Sequence, residues 1–293
     1  MKDLLLFHYW CFRTFSLRRN FPKLKIKSIF QTIDDIIINK KSISRFGDGE
    51  LRMMIGNGKI VFQNENNDLS NKLNEVLTSN LKNHIVALPE AFVSTKNLKL
   101  SSRYFWKGYL NNNSNSFSRY LNKEAIYGNS FISRFYMAYS NKEFAIEVVN
   151  KLKQIWNQKD ILIVEGEFSR LGVGNDLFKN ATSLKRIICP SENAFSIYDK
   201  ILEVSKKHGK DKLILIALGP TATVLSYDLA KQDFWALDVG HIDVEYMWML
   251  QNAKVKVPIK GRYVSEARDI KDFEIPEEYL DHYNQSIIEK VTF

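Results

Sequence analysis

Two carboxylates separated by a single glycine, Asp48 and Glu50, are the residues of this sequence best suited to bind a divalent metal ion. They follow the apolar run of residues 42–46, and in an extended segment side chains two residues apart point the same way. The glycines around Asp48 let a ligand approach the backbone closely. Oxygen ligands of this kind suit Mg²⁺ or Mn²⁺, with diphosphate oxygens and water completing the coordination. A solvated turn is the alternative for so short a motif, and the preceding buried strand and Arg45 favour the metal site.

A histidine and two carboxylates form the richest polar cluster, at His241, Asp243 and Glu245. On a strand all three would share one face, and on a helix His241 and Glu245 would still do so. Such a set can bind a metal ion, bind sugar hydroxyls or act as a general base. The predicted catalytic residues are Asp48, Glu50, His241, Asp243 and Glu245.

Three further segments carry groups that suit a nucleotide or its phosphates. Glu165 and Glu167 repeat the spacing of the first motif, although an ion pair with Arg170 or a helix cap would explain them equally well. Residues 172–174 predict a Gly-x-Gly turn that opens a helix, where free N–H groups can bind an anion. Residues 219–223 predict a strand-to-helix turn that either caps the helix or binds phosphate or ribose. The predicted nucleotide-binding residues are Arg45, Gly49, Glu165, Arg170, Gly172, Gly174, Asn175, Asn193, Gly219, Thr221 and Thr223.

The elements that must position these residues alternate along the chain. Short apolar, β-branched runs predict strands at residues 42–46, 85–88, 161–164, 186–189, 213–218 and 234–239. Apolar residues at three- and four-residue spacing predict helices at residues 29–39, 69–81, 142–156, 194–207 and 222–231. The alternation indicates an α/β protein with a Rossmann-like, largely parallel sheet and flanking helices. Polar groups follow five of the six predicted strands, and such sheets bind ligands beyond the carboxyl ends of their strands, so we expect the active site there.

The middle of the chain fits this alternation poorly. Residues 103–136 are rich in aromatic side chains and could form an insertion over the site. Within them, the polar residues 111–116 predict a surface loop or lid. We predict two regions in all, an N-terminal extension at residues 1–28 and a catalytic domain at residues 29–293.

Length and charge limit the functions that the chain can have. Its 293 residues are enough for one large core. Lys and Arg number 42 against 33 Asp and Glu, a formal net charge of +9 that favours anionic partners such as nucleotides. Most of the excess lies in residues 1–27 and no nucleic-acid-binding signature is present, so we expect no nucleic acid as a partner. The two cysteines, Cys11 and Cys189, form no disulfide framework and indicate a reduced, cytoplasmic protein.

The N-terminal extension begins with an apolar, aromatic run. Arg13, Arg18 and Arg19 interrupt this run before the ~20 residues that a membrane span needs, and no signal-peptide cleavage site follows it. Residues 1–27 are therefore expected either to rest on an anionic membrane surface or to pack on the domain or on a second subunit of a homo-oligomer. The first alternative would place the protein at the inner face of the membrane.

Several motifs in a fixed order resemble the GT-D family of bacterial glycosyltransferases, once catalogued as a domain of unknown function. These motifs are residues 44–50, 165–167, 169–176, 190–198, 219–225 and 240–243. The resemblance implies a metal-dependent transferase in which Asp48 and Glu50 engage the metal ion and the nucleotide diphosphate. Members of the family extend glycans on serine-rich adhesins or build surface polysaccharides, and UDP-glucose is a known kind of donor. The implied partners are a UDP-sugar and a glycan acceptor on a protein or a lipid carrier.

In the mechanism that this implies, the metal ion neutralises the departing UDP, and Arg45, Arg170 and a helix N-terminus add positive potential. Glu245 or Asp243, in preference to His241, would accept the proton of the acceptor hydroxyl if the reaction inverts the sugar configuration. Three other functions remain open: a metal-dependent phosphohydrolase acting on nucleotide sugars, a nucleotide-dependent oxidoreductase and a membrane-docking scaffold. The absence of the third glycine of the dinucleotide-binding fingerprint disfavours the oxidoreductase.

Overall fold

The computed structural model describes residues 5–6, 8–10, 21–56, 60, 62–267 and 273–293. The strands are β1 (Lys25–Ile26), β2 (Ser42–Arg45), β3 (His84–Leu88), β4 (Ile126–Asn129), β5 (Asp160–Gly166), β6 (Ser183–Cys189), β7 (Leu213–Ala217), β8 (Trp235–Asp238) and β9 (Ile287–Lys290). In this part of the chain they form one nine-stranded parallel sheet in the order β1-β4-β3-β2-β8-β7-β5-β6-β9. The predicted α/β architecture is confirmed.

Helices connect most of the strands. They are α1 (Ile29–Ile38), α2 (Asp48–Met54), α3 (Asn67–Thr78), α4 (Leu100–Phe117), α5 (Glu143–Lys153), α6 (Tyr198–Gly209), α7 (Pro220–Ala230), α8 (Ile242–Leu250) and α9 (Glu277–Ser286). Short 3₁₀ helices at Ser130–Ser133 and Ala194–Ile197 follow β4 and β6.

The centre of the sheet follows directly from the apolar runs of the sequence. All five residues of β7 are buried, and so is every residue of β5 after the first. Strands that are covered on both faces need apolar side chains on both faces, which explains why these runs show little alternation. The chain winds outward from β2 to β4 on one side and returns through β7 to β8 on the other, so β2 and β8 meet at the middle of the sheet.

The outer strands could not be recognised from the sequence. β1 has two residues, while β4 and β9 have four each and include exposed positions. Strands this short carry too few residues to establish a periodicity. Because β1 pairs with β4, and Leu24 beside it is buried, the last residues of the predicted N-terminal extension belong to the sheet.

The loop predicted at residues 111–116 is wrong, because these residues complete the long helix α4. Asn and Ser are only moderate helix formers, but tertiary packing readily overrides such small propensities. The helix is held by Trp106, Tyr109 and Phe117, which are buried in a cluster of aromatic rings. The aromatic-rich middle of the chain is therefore a packed helix followed by β4, the strand next to the edge of the sheet.

The predictions for the N-terminus fall partly outside the described residues, and Cys11 lies wholly outside them. Among the residues that the structure does describe, no helix is long and apolar enough to cross a bilayer. Cys189 is buried at the end of β6 as a free thiol, and burial raises its pKa to about 12.

Candidate active site

A cavity of about 1180 Å³ lies beyond the carboxyl ends of the central strands. The segments that follow β2, β4, β5, β6, β7 and β8 all contribute to its lining. It is large for a small-molecule site, since such sites commonly enclose ~300–1,000 Å³. The predicted convergence of strand ends is therefore present as one continuous space.

Asp48 and Glu50 line this cavity from the first turn of α2. The extended geometry predicted for them is wrong, because the chain turns into a helix directly after Gly47. Glu50 folds back to accept a hydrogen bond on Oε2 from the Gly47 backbone N–H at 2.8 Å, which satisfies one free donor of the helix start. The Asp48 carboxylate has no hydrogen-bond or ion-pair partner among the described residues. Both side chains therefore keep oxygen atoms available for a ligand.

The protonation of Glu50 is strongly affected by its position. Burial, and next the negative charge of Asp238, raise its pKa from 4.5 to about 7. Asp238 ends β8, beside β2, and pairs with Arg45 at 2.5 Å between Oδ1 and Nη2. The Arg45 backbone N–H also donates to Asp238 Oδ2 at 3.1 Å. Arg45 thus bridges the two central strands and lines the cavity as predicted.

Of the two geometries left open for the second cluster, the structure has the helix: His241 precedes helix α8, in which Asp243 and Glu245 lie. Asp243 accepts hydrogen bonds from the Gly172 N–H at 2.8 Å and the Asn175 amide at 2.7 Å, and it is ion-paired with buried Arg262. Asp243 therefore anchors the loop after β5.

Glu245 is used in a similar way on the other side of α8. Its Oε2 accepts hydrogen bonds from the backbone N–H groups of Tyr136 and Met137, at 2.8 and 2.6 Å. Burial raises the pKa of Glu245. The carboxylate lines the cavity while holding the segment after β4 in place.

His241 faces a different environment. Its Nε2 lies 2.8 Å from Glu266 Oε2, and Glu266 Oε1 accepts from Arg134 Nη1 at 2.6 Å. Burial, and next the charge of Arg134, lower the pKa of His241, so the imidazole is neutral near pH 7. Although burial acts in the opposite direction, Arg134 and His241 hold the pKa of Glu266 far below its usual range.

Most of the other predicted nucleotide-binding residues do not line the described cavity. Gly49 and Gly219 do. Glu165 is fully buried, accepts from the Leu171 N–H at 2.7 Å and is ion-paired with Arg186 at 2.5 Å. The Arg170 guanidinium donates to the Gly261 carbonyl at 2.5 Å. These two charged side chains hold loops together.

The remaining predicted residues have structural contacts. Gly172 and Gly174 have positive φ angles of 75° and 71° in a turn, and the helix predicted to open there is absent from the described chain. Asn193 accepts from the Asn64 N–H at 2.8 Å. Thr221 and Thr223, in the first turn of α7, are fully buried, and Thr223 donates to the Arg45 carbonyl at 3.1 Å.

Three residues at or behind the cavity wall were missed from the sequence: Arg134 and Glu266, which line the cavity, and Asp238, which is buried behind it against Arg45. Asp238 could have been found, because it is the last polar residue of a predicted strand. The position of Arg134 depends on the 3₁₀ turn after the unrecognised β4, and Glu266 lies in an irregular segment without a periodic signal.

A parallel α/β sheet with carboxylate and cationic side chains gathered where its two halves meet is typical of α/β proteins that bind ligands beyond the carboxyl ends of their strands. Comparison with known proteins gives the family. The family model described as "Glycosyltransferase GT-D fold" matches residues 43–267, and the chain belongs to this family.

Relatives of known name and structure agree with this assignment. The chain is 39% identical over 269 residues to "Glycosyltransferase GlyD" of Streptococcus pneumoniae serotype 4, covering 92% of this chain and 33% of that protein. It is 38% identical over 255 residues to "Probable glycosyl transferase Gly" of Streptococcus gordonii, covering 86% and 37%. The chain thus spans about a third of the length of these curated relatives.

Solved structures share the whole fold. One, described as the highly conserved domain of unknown function 1792 with a distinct glycosyltransferase fold, has a TM-score of 0.86 at 36% identity, covering 92% of this chain and 96% of that one. A second, described as a new glycosyltransferase (DUF1792) from Streptococcus sanguinis, has a TM-score of 0.85 at 37% identity, covering 92% and 99%. The predicted GT-D fold is therefore confirmed.

Proposed function

We propose that the chain transfers a hexose from a UDP-sugar to a glycan acceptor, with Mn²⁺ or Mg²⁺ bound by Asp48 and Glu50. The observation that carries this proposal is the position of the two carboxylates. Both line the cavity where β2 and β8 meet, and both keep oxygen atoms that accept no hydrogen bond from the described residues.

The donor set fits such a metal ion. The described residues contain no group of three or more His, Cys, Asp or Glu side chains that could form a complete metal site. Mg²⁺ in particular is commonly bound by one or two carboxylates together with substrate phosphates and water, so two carboxylates suffice when a diphosphate is present. Burial of Glu50 disfavours its ionised form, and a neighbouring cation would offset that cost. When bound, the ion would stabilise negative charge on the departing diphosphate.

The half of the cavity beside β5, β6 and β7 suits the nucleotide. Gly166, Ser191 and Gly219 lie at the ends of these three strands and line the cavity, and their side chains are small or absent. Gly219 also begins helix α7, whose first N–H groups favour an anion.

His241 is the general base that the geometry favours for the acceptor hydroxyl. The carboxylates that we expected in this role, Asp243 and Glu245, already accept hydrogen bonds that anchor two loops. His241 lines the cavity as a neutral imidazole with Nε2 held by Glu266, which leaves Nδ1 to accept a proton. The tautomer follows from the hydrogen bond to the carboxylate.

The proposal is tested by incubating the chain with a panel of UDP-sugars, with Mn²⁺ or with a chelator. We expect metal-dependent donor turnover, reduced at least ~100-fold in Asp48→Asn and in Glu50→Gln. Asp68→Asn is the matched control, because Asp68 also lies in the first turn of a helix but is exposed on α3.

Failure of UDP to bind would overturn the transferase, and full activity of either carboxylate variant would refute the metal site. The phosphohydrolase alternative has its own signature. It predicts that free sugar is the product whatever acceptor is added, whereas a transferase forms a glycoside with the added acceptor.

A further inference from the structure

Two lysines, Lys99 and Lys256, line the cavity. Their position can be measured along α4, one face of which lines the cavity through Ser102, Phe105 and Trp106. Tyr109 on the same helix donates a hydrogen bond to the Asp48 carbonyl at 3.3 Å.

Lys99 directly precedes α4 and lies ten residues before Tyr109. A helix rises 1.5 Å per residue, so the two backbones are about 15 Å apart along the axis. That separation exceeds the reach of a diphosphate held at Asp48 and Glu50. Lys99 therefore lies in the half of the cavity that the proposed function leaves to the acceptor, and Lys256 is close enough to Lys99 for its charge to lower the pKa of Lys99.

The Lys99 ammonium group has an unusual environment for a partly buried cation. It has no hydrogen-bond or ion-pair partner among the described residues. Burial and the charge of Lys256 lower its pKa, and Glu245 opposes this effect without forming an ion pair. Partly buried charges normally have partners, because removing them from water is costly.

The nearby charges do not supply that partner. Lys256 approaches Glu266 at 3.6 Å, but the Glu266 carboxylate already binds Arg134 and His241. A third lysine, Lys142, donates to the Tyr136 carbonyl at 2.5 Å and lies close enough to Lys99 for its own pKa to be lowered by burial and by that charge. This end of the cavity thus carries an excess of positive charge.

We propose that Lys99 and Lys256 bind an anionic group, a phosphate or a carboxylate, on the glycan acceptor. The hydroxyls of Ser101 and Ser102 line the same part of the cavity and can donate further hydrogen bonds to such a group. The inference rests on the proposed function, because it takes the donor to bind at Asp48 and Glu50. It adds that the acceptor, bound in the other half of the cavity, carries a negative charge.

The test measures binding of three probe sugars to the full chain in the presence of UDP and Mn²⁺: methyl glucoside, methyl glucuronide and glucose 6-phosphate. The two anionic probes distinguish a carboxylate from a phosphate. We expect at least one of them to bind about tenfold more tightly than the neutral glucoside, as charge-assisted hydrogen bonds would provide. Lys99→Gln and, independently, Lys256→Gln should remove this preference while UDP affinity stays unchanged.

Lys96→Gln is the matched control, because Lys96 lies three residues away on the exposed surface and outside the cavity lining. It should leave all three affinities as they are. Equal or absent binding of the three sugars would overturn the anionic subsite while UDP binding still supports the proposed function. A loss of UDP affinity in Lys99→Gln would also overturn it, since the lysine would then serve the donor. Absence of UDP binding in the unaltered chain would overturn both.

Discussion

Two buried carboxylates that hold loops in place are each paired with an arginine. Glu165 pairs with Arg186 and Asp243 pairs with Arg262, and each acid also accepts a hydrogen bond from a backbone N–H group. Asp48 and Glu50 differ, because their carboxylates have no cationic side chain within ion-pair distance among the described residues. An unpaired carboxylate at a cavity wall is a characteristic of functional sites.

Glu50 gives a pH-dependent test of this difference. Its folded-state pKa of about 7 lies above the ordinary 4.5, so folding favours the protonated form. The free energy of unfolding should then decrease as the pH rises from about 4.5 and reach its lower level above about 7. Glutamine cannot ionise, so the metal-free Glu50→Gln variant should be more stable than the unaltered protein by about 3 kcal/mol above pH 7 and equally stable below pH 4.5.

Urea unfolding in the presence of a chelator, repeated across this pH range, measures the difference. Added Mn²⁺ should raise the stability of the unaltered protein at pH 8 and have little effect on Glu50→Gln. A stability difference that does not vary with pH would contradict the assignment of the buried charge to Glu50.

At the residue scale, the sequence indicated which strand ends carry polar groups but not which of these groups face the ligand. Glu165 and Asp243 bind cations that occur 21 and 19 residues further along the chain. Arg186 lies within a strand, and Arg262 lies in a segment of irregular structure. Pairing at such separations depends on the folded arrangement, so no local spacing rule could separate structural carboxylates from available ones.

The segments around the cavity pack closely against one another where the strands end. Gly219 begins α7 with a φ angle of +55°, and Phe62 from the segment before α3 packs on it. The Asn193 N–H donates to the Phe62 carbonyl at 2.9 Å, which ties that segment to the end of β6. The absence of a side chain at residue 219 therefore determines how closely Phe62 approaches the nucleotide half of the cavity.

Gly219→Ala should be destabilising for two separate reasons. A positive φ angle costs an L-residue about 1–2 kcal/mol, and a Cβ at this position would lie 2.3 Å from Phe62 Cε2, adding about 1–3 kcal/mol of overpacking. We expect UDP affinity to decrease as well, because the ring must move within the cavity wall. Thermal unfolding and UDP titration measure the two effects.

Gly56→Ala is the control for backbone strain alone. Gly56 has a similar φ angle of +68°, but a Cβ there meets no atom within 4 Å. Adding Phe62→Ala to Gly219→Ala should remove the part of the destabilisation that comes from overpacking. The part that comes from backbone strain at residue 219 should remain. Equal effects of the two glycine substitutions on stability would show that Phe62 does not limit this position.

At the element scale, a strand could be predicted from the sequence when it was long enough and buried on both faces. The central strands β5 and β7 are long, continuous apolar runs, and no other element gives that pattern. The last turns of α4 were predicted as a loop because they are rich in Asn and Ser, yet Ser114 is buried there and Asn113 donates to the Tyr109 carbonyl at 2.9 Å. Tertiary contacts decide such segments, and composition does not.

At the scale of the whole molecule, one chain supplies every group proposed for donor, metal and acceptor. The cavity lining extends from the segment after β4 to the segment after β6, across the central strands. The curated relatives are about three times longer than the part that this chain matches, so the fold forms one section of those proteins.

The N-terminal segment contacts helix α4, another part of which lines the cavity. Trp10 packs on Gly108 in the middle of α4, where an added Cβ would lie 3.1 Å from Trp10 Cε2. Tyr9 beside it is half exposed, and Leu5 is 66% exposed. Of the two expectations for residues 1–27, packing on the domain therefore has a contact that can be tested in the described residues.

The substitutions Trp10→Ala and Gly108→Ala should be coupled. In the middle of a helix, Ala is more favourable than Gly by about 0.8–1 kcal/mol, so Gly108→Ala should stabilise the Trp10→Ala variant by about that amount. With Trp10 present the gain should be smaller, because the indole ring must move away from the new methyl group. Urea unfolding of the two single variants and the double variant gives this coupling as a double-mutant cycle.

Membrane docking predicts a different result from the same proteins. If the segment leaves the domain to bind a lipid surface, Trp10→Ala should reduce flotation with anionic vesicles. The free energy of unfolding in solution should then be unchanged, and the coupling energy between residues 10 and 108 should be near zero. If the segment packs on α4, the coupling should be present without lipid. Tyr9→Ala, which changes a half-exposed neighbour of Trp10, should show a much smaller coupling with Gly108→Ala. The two arrangements therefore differ in a quantity measured without lipid, and the presence or absence of the coupling shows whether Trp10 covers α4.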